Sequence, residues 1–433
     1  MRGLIQLGLY RLLALALTPL WMVVLLARLL EGKEDPDRFL ERLGWPTRRR
    51  PPGPLIWFHA ASVGELNSLL PVFRQLEQGA QPGCSPVLLI TTVTRSSADL
   101  AERVLPAAVI HQYVPIDHWV AMLPFRWYWR PCLGVLAEAE LWPELVMAMP
   151  GIHIINARMS ERSFRRHQRL RWYAAWLLSR VELCVAQSQN DAERFRCLGA
   201  RDVRALGSTK LDADPPQTNA AHLRLLHQVF AGRSVLLLAS SHPGEEQKWL
   251  EAWCNRNPTN PSLGLLVVPR HPRRAAGLCA QARALGLTAT LWSELTCLDQ
   301  NNPSWPPDVD VLVGDVIGEM GTWISAAAVV VMGGSYLPMG QAHGGQNPLE
   351  PASLGRPVLC GPDMANFSEL LDPLLAAGVL QQHADVDSSL AAALPLLQQG
   401  SAVVSPTGQT LPLGSLPRGP SAFLAKLLLA RVY

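Results

Sequence analysis

The chain has 433 residues, 48% of them hydrophobic and 17% charged, with a formal net charge of +3. This balance supports large buried cores and excludes disorder over most of the chain, and the length calls for more than one core, two by our reading. So small a net charge excludes a global attraction to nucleic acid, leaving only local basic clusters to meet an anionic surface.

Residues 12–27 form the first predicted element, apolar except for Thr18, interrupted by Pro19 and bounded by Arg11 and Arg28. A bilayer core takes about 20 helical residues, so this run spans a membrane only if Arg11 snorkels, and otherwise lies in the interface. Either way it anchors. No small-residue cleavage site follows Ala27, and Arg28, Lys33, Arg38, Arg42 and Arg48 to Arg50 favour a body on the cytoplasmic side.

From residue 55 onward short apolar strands alternate with longer helical patterns. Strands are predicted at 55–58, 87–91, 134–137, 152–155 and 183–186, and, beyond Pro215-Pro216, at 235–239, 265–268, 309–314, 329–333 and 357–360. That alternation predicts parallel α/β structure. The division we expect is a membrane anchor and juxtamembrane segment at 1–45, an N-terminal Rossmann-like domain at 46–212, a linker at 213–220 and a C-terminal Rossmann-like domain at 221–433. Two such doubly wound domains, facing across a cleft, collect ligands at the carboxyl ends of their strands. Eight cysteines are scattered without a CxxC pair or a zinc spacing, and read as free thiols.

The first strand runs into His59-Ala60-Ala61-Ser62-Val63-Gly64-Glu65 and then into a helical pattern. Glu65 therefore falls at a strand's carboxyl end near a helix start, where the helix amides favour its ionised form. Such a carboxylate can take a proton from a hydroxyl, and it can equally cap the helix. Ser62 and Gly64 allow a ligand to approach closely. A second acidic pair, Glu138 and Glu140 in Glu138-Ala139-Glu140-Leu141-Trp142-Pro143, leaves another buried strand. Burial raises at least one of their pKa values, which fits binding of a polar acceptor; a salt bridge to the cluster Arg158, Arg162, Arg165, Arg166, Arg169 and Arg171 is the other reading. That cluster suits a solvated helix face, phosphates or a membrane surface.

In the second half, Pro269-Arg270-His271-Pro272 closes a strand and presents an arginine to phosphate. Gly314-Asp315-Val316-Ile317-Gly318-Glu319, Gly333-Gly334-Ser335 and Gly344-Gly345-Gln346-Asn347-Pro348-Leu349-Glu350 follow. In the last run Asn347 reads as an N-cap, Pro348 as the first helical residue and Glu350 as the capping-box partner, although a glycine-rich helix start also binds anions and a glutamate inside it can bind ribose hydroxyls. Asp308-Val309-Asp310 has the form of a metal-binding triplet, but it leads straight into a strand and has no partners for a hard cation, so we discount it.

Taken in order, these runs resemble the 3-deoxy-D-manno-octulosonic acid (Kdo) transferases, which attach Kdo to the lipid A precursor. Asn156-Ala157-Arg158-Met159-Ser160, Gly207-Ser208-Thr209-Lys210-Leu211-Asp212 and Ser241-His242-Pro243-Gly244-Glu245-Glu246 belong to the same pattern, which extends to about Phe367. The resemblance implies a GT-B fold, a CMP-Kdo donor, a lipid A precursor as acceptor, inverting transfer without metal or other cofactor, and a place on the cytoplasmic face of the inner membrane. It implies Glu65 as base, with Glu138 and Lys210 stabilising the transition state. It implies that Pro269, Arg270, Ile317, Gly318, Glu319, Asn347, Pro348, Leu349 and Glu350 hold CMP. Departures from the family pattern include Thr209 and Leu211 beside Lys210, Ile317 in place of methionine, Gln346 in place of histidine, and extra residues between Ser335 and Gly344. Another GT-B transferase or a nucleotide-sugar epimerase is the alternative.

Overall fold

The computed structural model describes residues 2–80, 85–230, 232–256, 262–296, 309–337, 343–398 and 418–432; Asp308, the loop 301–307 and the inserted residues 338–342 lie outside the described residues. Two compact units divide the chain, one comprising Met1–Ala213 and Arg418–Tyr433, the other Asp214–Pro417.

The first unit holds a seven-stranded parallel sheet of β1 (Leu55–Ala60), β2 (Val87–Thr92), β3 (Val109–Tyr113), β4 (Leu133–Ala137), β5 (Ile152–Ala157), β6 (Val181–Ala186) and β7 (Val203–Ala205), in the order β3-β2-β1-β4-β5-β6-β7. Strands β1, β2, β4 and β5 are buried along their whole length. Helices cover both faces, which is why these strands read as unbroken apolar runs rather than alternating ones. The chain leaves β1 toward β2 and β3, then returns on the other side of β1 at β4. The carboxyl ends of β1 and β4 therefore flank the crevice where ligands of such sheets bind.

The second unit repeats the plan with β8 (Ser234–Ser241), β9 (Leu263–Pro269), β10 (Ala289–Leu291), β11 (Val311–Val313), β12 (Val329–Met332), β13 (Val358–Cys360) and β14 (Leu380–Gln382), ordered β10-β11-β9-β8-β12-β13-β14. Trp249 and Trp253, from the helix that follows β8, fill one face beside Leu236, Leu238 and Val331. Here the direction of winding reverses between β8 and β12.

One expected boundary is corrected. The segment from Arg418 belongs to the first unit and not to a C-terminal domain running to 433. The cause is apolar: Leu424, Ala425 and Leu428 of the helix Ser421–Val432 are buried in the core that Leu66, Leu69 and Phe73 also build. Both oxygens of Asp212 fix its start, accepting from the N–H groups of Gly419 at 2.8 Å and Ser421 at 2.9 Å.

The N-terminal apolar run forms two helices, α1 (Arg2–Ala16) and α2 (Thr18–Leu30), bent by 60° with Pro19 in the first turn of α2. Among the described residues no single helix is long and apolar enough to cross a membrane, although this bent pair has the length and composition together. Arg11, expected to snorkel if the run spans, turns to the globular body here. It forms a two-pronged pair with Glu144 at 2.6 and 2.9 Å, because that carboxylate is nearly fully buried and needs a cation. Tyr10 donates to Asp117 at 2.7 Å, so α1 is tied to the globular body by polar contacts.

Candidate active site

Glu65 lies in the first turn of α3 (Val63–Gly79), directly after β1. Ser62 caps the helix by accepting from the Glu65 N–H. The Glu65 carboxylate in turn accepts from the Ala61 N–H and the Ser62 hydroxyl, both at 2.8 Å. Capping is thus present, and it does not decide the charge state. Burial, with the nearby charges of Glu140 and Glu138, outweighs these bonds and pushes the carboxyl up to about 7. The expectation that helix amides would favour the ionised form is corrected: at 6% exposure desolvation is the larger effect.

Glu138 and Glu140 follow β4 across the switch point. Glu138 has a left-handed backbone with φ of 57°. Non-glycine residues hold that conformation at a cost of about 1–2 kcal/mol, and such strain gathers at functional sites. Burial raises the Glu140 pKa, and the carboxylate accepts a hydrogen bond from the Trp142 side chain. Lys210 sits on the short turn Thr209–Asp212. That turn is clamped to α3: the Thr209 N–H donates to Asn156 Oδ1 at 2.8 Å, and its hydroxyl donates to the Ser68 carbonyl. Ser68, one turn beyond Glu65, donates to the Glu65 carbonyl at 2.6 Å. The segments carrying Glu65 and Lys210 are therefore locked together through the buried Asn156 and Thr209. Asn156 holds φ of 53°, a conformation that asparagine tolerates better than most residues; the sequence placed it in a run shared with the resembled family without indicating this clamping role.

Four members of the basic cluster, Arg162, Arg165, Arg166 and Arg169, lie on a solvated helix. The helix Glu161–Arg169 buries none of its residues, and Arg165 pairs with Glu161 at 2.8 Å.

In the second unit a cavity of about 280 Å³ opens at the carboxyl ends of β8, β9 and β12, lined by Pro269, Arg270, Ile317, Gly318, Asn347 and Glu350 among others. Six of the nine predicted donor residues thus meet in one place, and three do not line it. Glu319 turns to His222 at 2.8 Å, while Pro348 and Leu349 are buried at the start of the helix Leu349–Ser353. The expected cap is corrected by one residue: Pro348 takes the N-cap position, while Asn347 accepts from the Leu349 N–H at 3.1 Å and donates to Glu350 at 3.2 Å. Burial raises the Glu350 pKa and the charge of Arg270 opposes the rise. Gly318 has φ of 94°, which brings the loop backbone to the cavity rim without strain.

Sequence reasoning did not single out His242, Ser240 or Glu245 as individual site residues. Ser240 lines the cavity with a left-handed φ of 54°. His242 stacks on His343 with centroids 4.2 Å apart and meets the Gln346 amide at 3.0 Å; burial and the charges of His343, Arg270, His271 and Arg274 push its pKa down to about 4. Glu245 accepts from the N–H groups of His242 and Gly334, joining the ends of β8 and β12, and burial raises it to about 7. Asp310, of the discounted triplet, accepts from the Thr288 N–H at 2.8 Å and so serves a strand start.

Two doubly wound parallel units, each with a polar site at its strand-order switch, define the GT-B class. The fold is similar to that of UDP-GlcNAc 2-epimerase from Neisseria meningitidis bound to UDP-GlcNAc, with a TM-score of 0.53 at 11% identity over 87% of this chain and 99% of that one. Residues 37–213 match the family model described as 3-deoxy-D-manno-octulosonic-acid transferase (kdotransferase). The chain is 31% identical over 381 residues to the 3-deoxy-D-manno-octulosonic acid transferase of Rickettsia bellii, covering 87% of this chain and 86% of the relative. It is 33% identical over 376 residues to that of Bordetella pertussis, covering 81% and 82%. The chain belongs to the Kdo transferase family of glycosyltransferases.

Proposed function

We propose that the protein transfers Kdo from CMP-Kdo to a lipid A precursor with inversion at the anomeric carbon, working at the cytoplasmic face of the inner membrane. The observation that carries this reading is Glu65: a buried carboxylate with a pKa near 7, beside two further acids at the switch point of the first sheet. A base of that pKa is half ionised at neutral pH and gains the most from taking a proton.

In the step we infer, an acceptor hydroxyl oxygen attacks the anomeric carbon of Kdo, its proton passes to Glu65, and the bond to the CMP phosphate breaks with its electron pair leaving on the phosphate. Glu138 and Lys210 stabilise the transition state, Lys210 by offsetting the negative charge that develops on the departing phosphate. In the second unit Arg270 meets the phosphate, Asn347 and Glu350 suit ribose hydroxyls, and Ile317, 88% exposed, offers an apolar face to the base. Support for membrane attachment comes from Leu12, Leu20, Val23, Leu26 and Leu30 of α1 and α2, all exposed, and from Val120, Leu123 and Trp127 at helical spacing on Trp119–Trp129.

Product stereochemistry and nucleotide binding test the reading together. Proton NMR of the product is expected to show the anomeric configuration opposite to that of CMP-Kdo, and calorimetry to show binding of CMP but not of UDP or GDP. Retention of configuration would remove the single displacement, and with it Glu65 as the base; tight UDP binding would remove the donor assignment.

A further inference from the structure

The first unit contains a second cavity, of about 510 Å³, that the sugar-transfer chemistry leaves unused. One wall is the bent helix pair, with Leu13 of α1, Leu17 at the bend, and Trp21 and Leu25 of α2; the other is made by the loops after β2 and β3, including Ile116. Its polar neighbours are already satisfied by one another. Tyr10 donates to Asp117 at 2.7 Å, and Glu34 accepts from both Arg28 at 2.7 Å and Arg42 at 2.8 Å. Arg28, its side chain 40% exposed, keeps its outer N–H groups for solvent, and the rest of the lining is apolar or already paired, so an apolar ligand suits the interior better than a polar one.

The location identifies the occupant. The strand order β3-β2-β1-β4 places the loops after β2 and β3 next to the end of β1, where Glu65 begins its helix. Trp142 joins the two regions: it lines the cavity, its ring centroid is 5.4 Å from that of His59 on β1, and it donates a hydrogen bond to Glu140. A molecule with a polar head at the carboxylates and an apolar tail would therefore run from one region into the other over a single side chain. The outer faces of α1 and α2 are exposed and apolar, so the cavity lies beneath the surface best suited to a bilayer.

We propose that this cavity takes one fatty-acyl chain of the lipid acceptor, drawing it partly out of the membrane so that its sugar headgroup reaches Glu65. The proposal rests on the reading of the acceptor as an acylated sugar. The helix pair is then part of the acceptor site as well as an anchor, and its polar ties through Tyr10 and Arg11 hold the cavity open.

The test uses the full chain in sparse detergent, with saturating CMP-Kdo and two acceptors, the acylated lipid A precursor and the same phosphorylated disaccharide stripped of its chains. With the unaltered protein, acceptors whose chains are shortened stepwise are expected to show KM rising about fourfold for each methylene withdrawn from the cavity. Ala14→Trp, which fills the cavity, is expected to raise KM for the acylated acceptor about tenfold more than KM for the stripped one. Leu375→Ser, exposed on the second unit and outside both the cavity and the membrane-facing surface, is expected to keep the wild-type ratio of the two. A flat chain-length series, or an unchanged ratio in Ala14→Trp, overturns the proposal. If neither acceptor takes up sugar, the functional reading fails, and the cavity is judged by photolabelling with a diazirine-bearing acyl chain on each lipid. Labelling of peptides containing Leu17 or Trp142 by the acylated precursor supports the proposal; equal labelling by a phospholipid, or none, overturns it.

Discussion

Replacing Glu65 by glutamine changes one atom and separates catalysis from structure. Glutamine can keep the local bonds, its oxygen accepting from the Ala61 N–H and its amide donating to the Ser62 hydroxyl, which the carboxylate engages at 2.8 Å on each side. What it loses is the ability to take a proton, a contribution of about 10²–10⁴-fold in rate. The same substitution should affect stability in the opposite sense. Burial, chiefly, lifts the Glu65 carboxyl from 4.5 to about 7 on folding. Between those values the folded state retains a proton that the unfolded chain has released, so this contribution to wild-type stability is complete below the unfolded pKa and is lost as the pH rises through the folded one. At about 1.4 kcal/mol per pKa unit the cost of ionising the buried carboxyl is on the order of 3 kcal/mol, and the glutamine variant does not bear it. Glu65→Gln is therefore expected to be nearly inactive, equal to the wild type in stability at pH 4 and more stable at pH 8. Thermal denaturation over that range checks the second half, and initial rates check the first. The wild-type kcat/KM should also rise with pH through an apparent pKa of about 7. Near-normal turnover in the variant, or a flat wild-type profile across neutral pH, would refute the assignment.

Arg270→Ala should weaken CMP binding about 10- to 100-fold, the loss of a charge-assisted hydrogen bond, as read by calorimetry. Thr209→Val deletes the hydroxyl that ties the Lys210 turn to α3, at a cost of about 1–3 kcal/mol. Its kcat should fall while CMP binding, which belongs to the second unit, stays at the wild-type value. Removing residues 418–433 exposes the core contacts of Leu424 and Leu428, about 1.5–3 kcal/mol each, and should lower the melting temperature of the first unit in calorimetry.

The central strands were legible because each is buried on both faces and so writes a continuous apolar run. All four strands without a prediction, β3, β7, β10 and β14, are the outer strands of their sheets. Edges are short or partly solvated, as in Val203–Ala205 and Leu380–Gln382, and leave little hydrophobic pattern to read. The helix Ser421–Val432 was assigned to the wrong unit because its apolar face says that it packs, but not against which sheet.

At the candidate site, Glu65, Glu138 and Arg270 were visible as polar residues leaving buried strands. The sign of the Glu65 pKa shift was not, since capping favours one charge state and burial the other, and only the packed geometry gives their relative size. Asn156, Ser240 and Glu245 were quieter still. Asn156 and Glu245 hold loops together through backbone N–H groups, and Ser240 shapes the cavity through its left-handed φ, roles that the packed geometry alone displays.

The most direct measurement is the intact mass of the acceptor after purified protein has been incubated with a lipid A precursor and CMP-Kdo formed in place. The account predicts a gain of one or more Kdo residues, dependent on Glu65. An unchanged acceptor with CMP-Kdo, together with sugar added from a UDP- or GDP-linked donor, would contradict it.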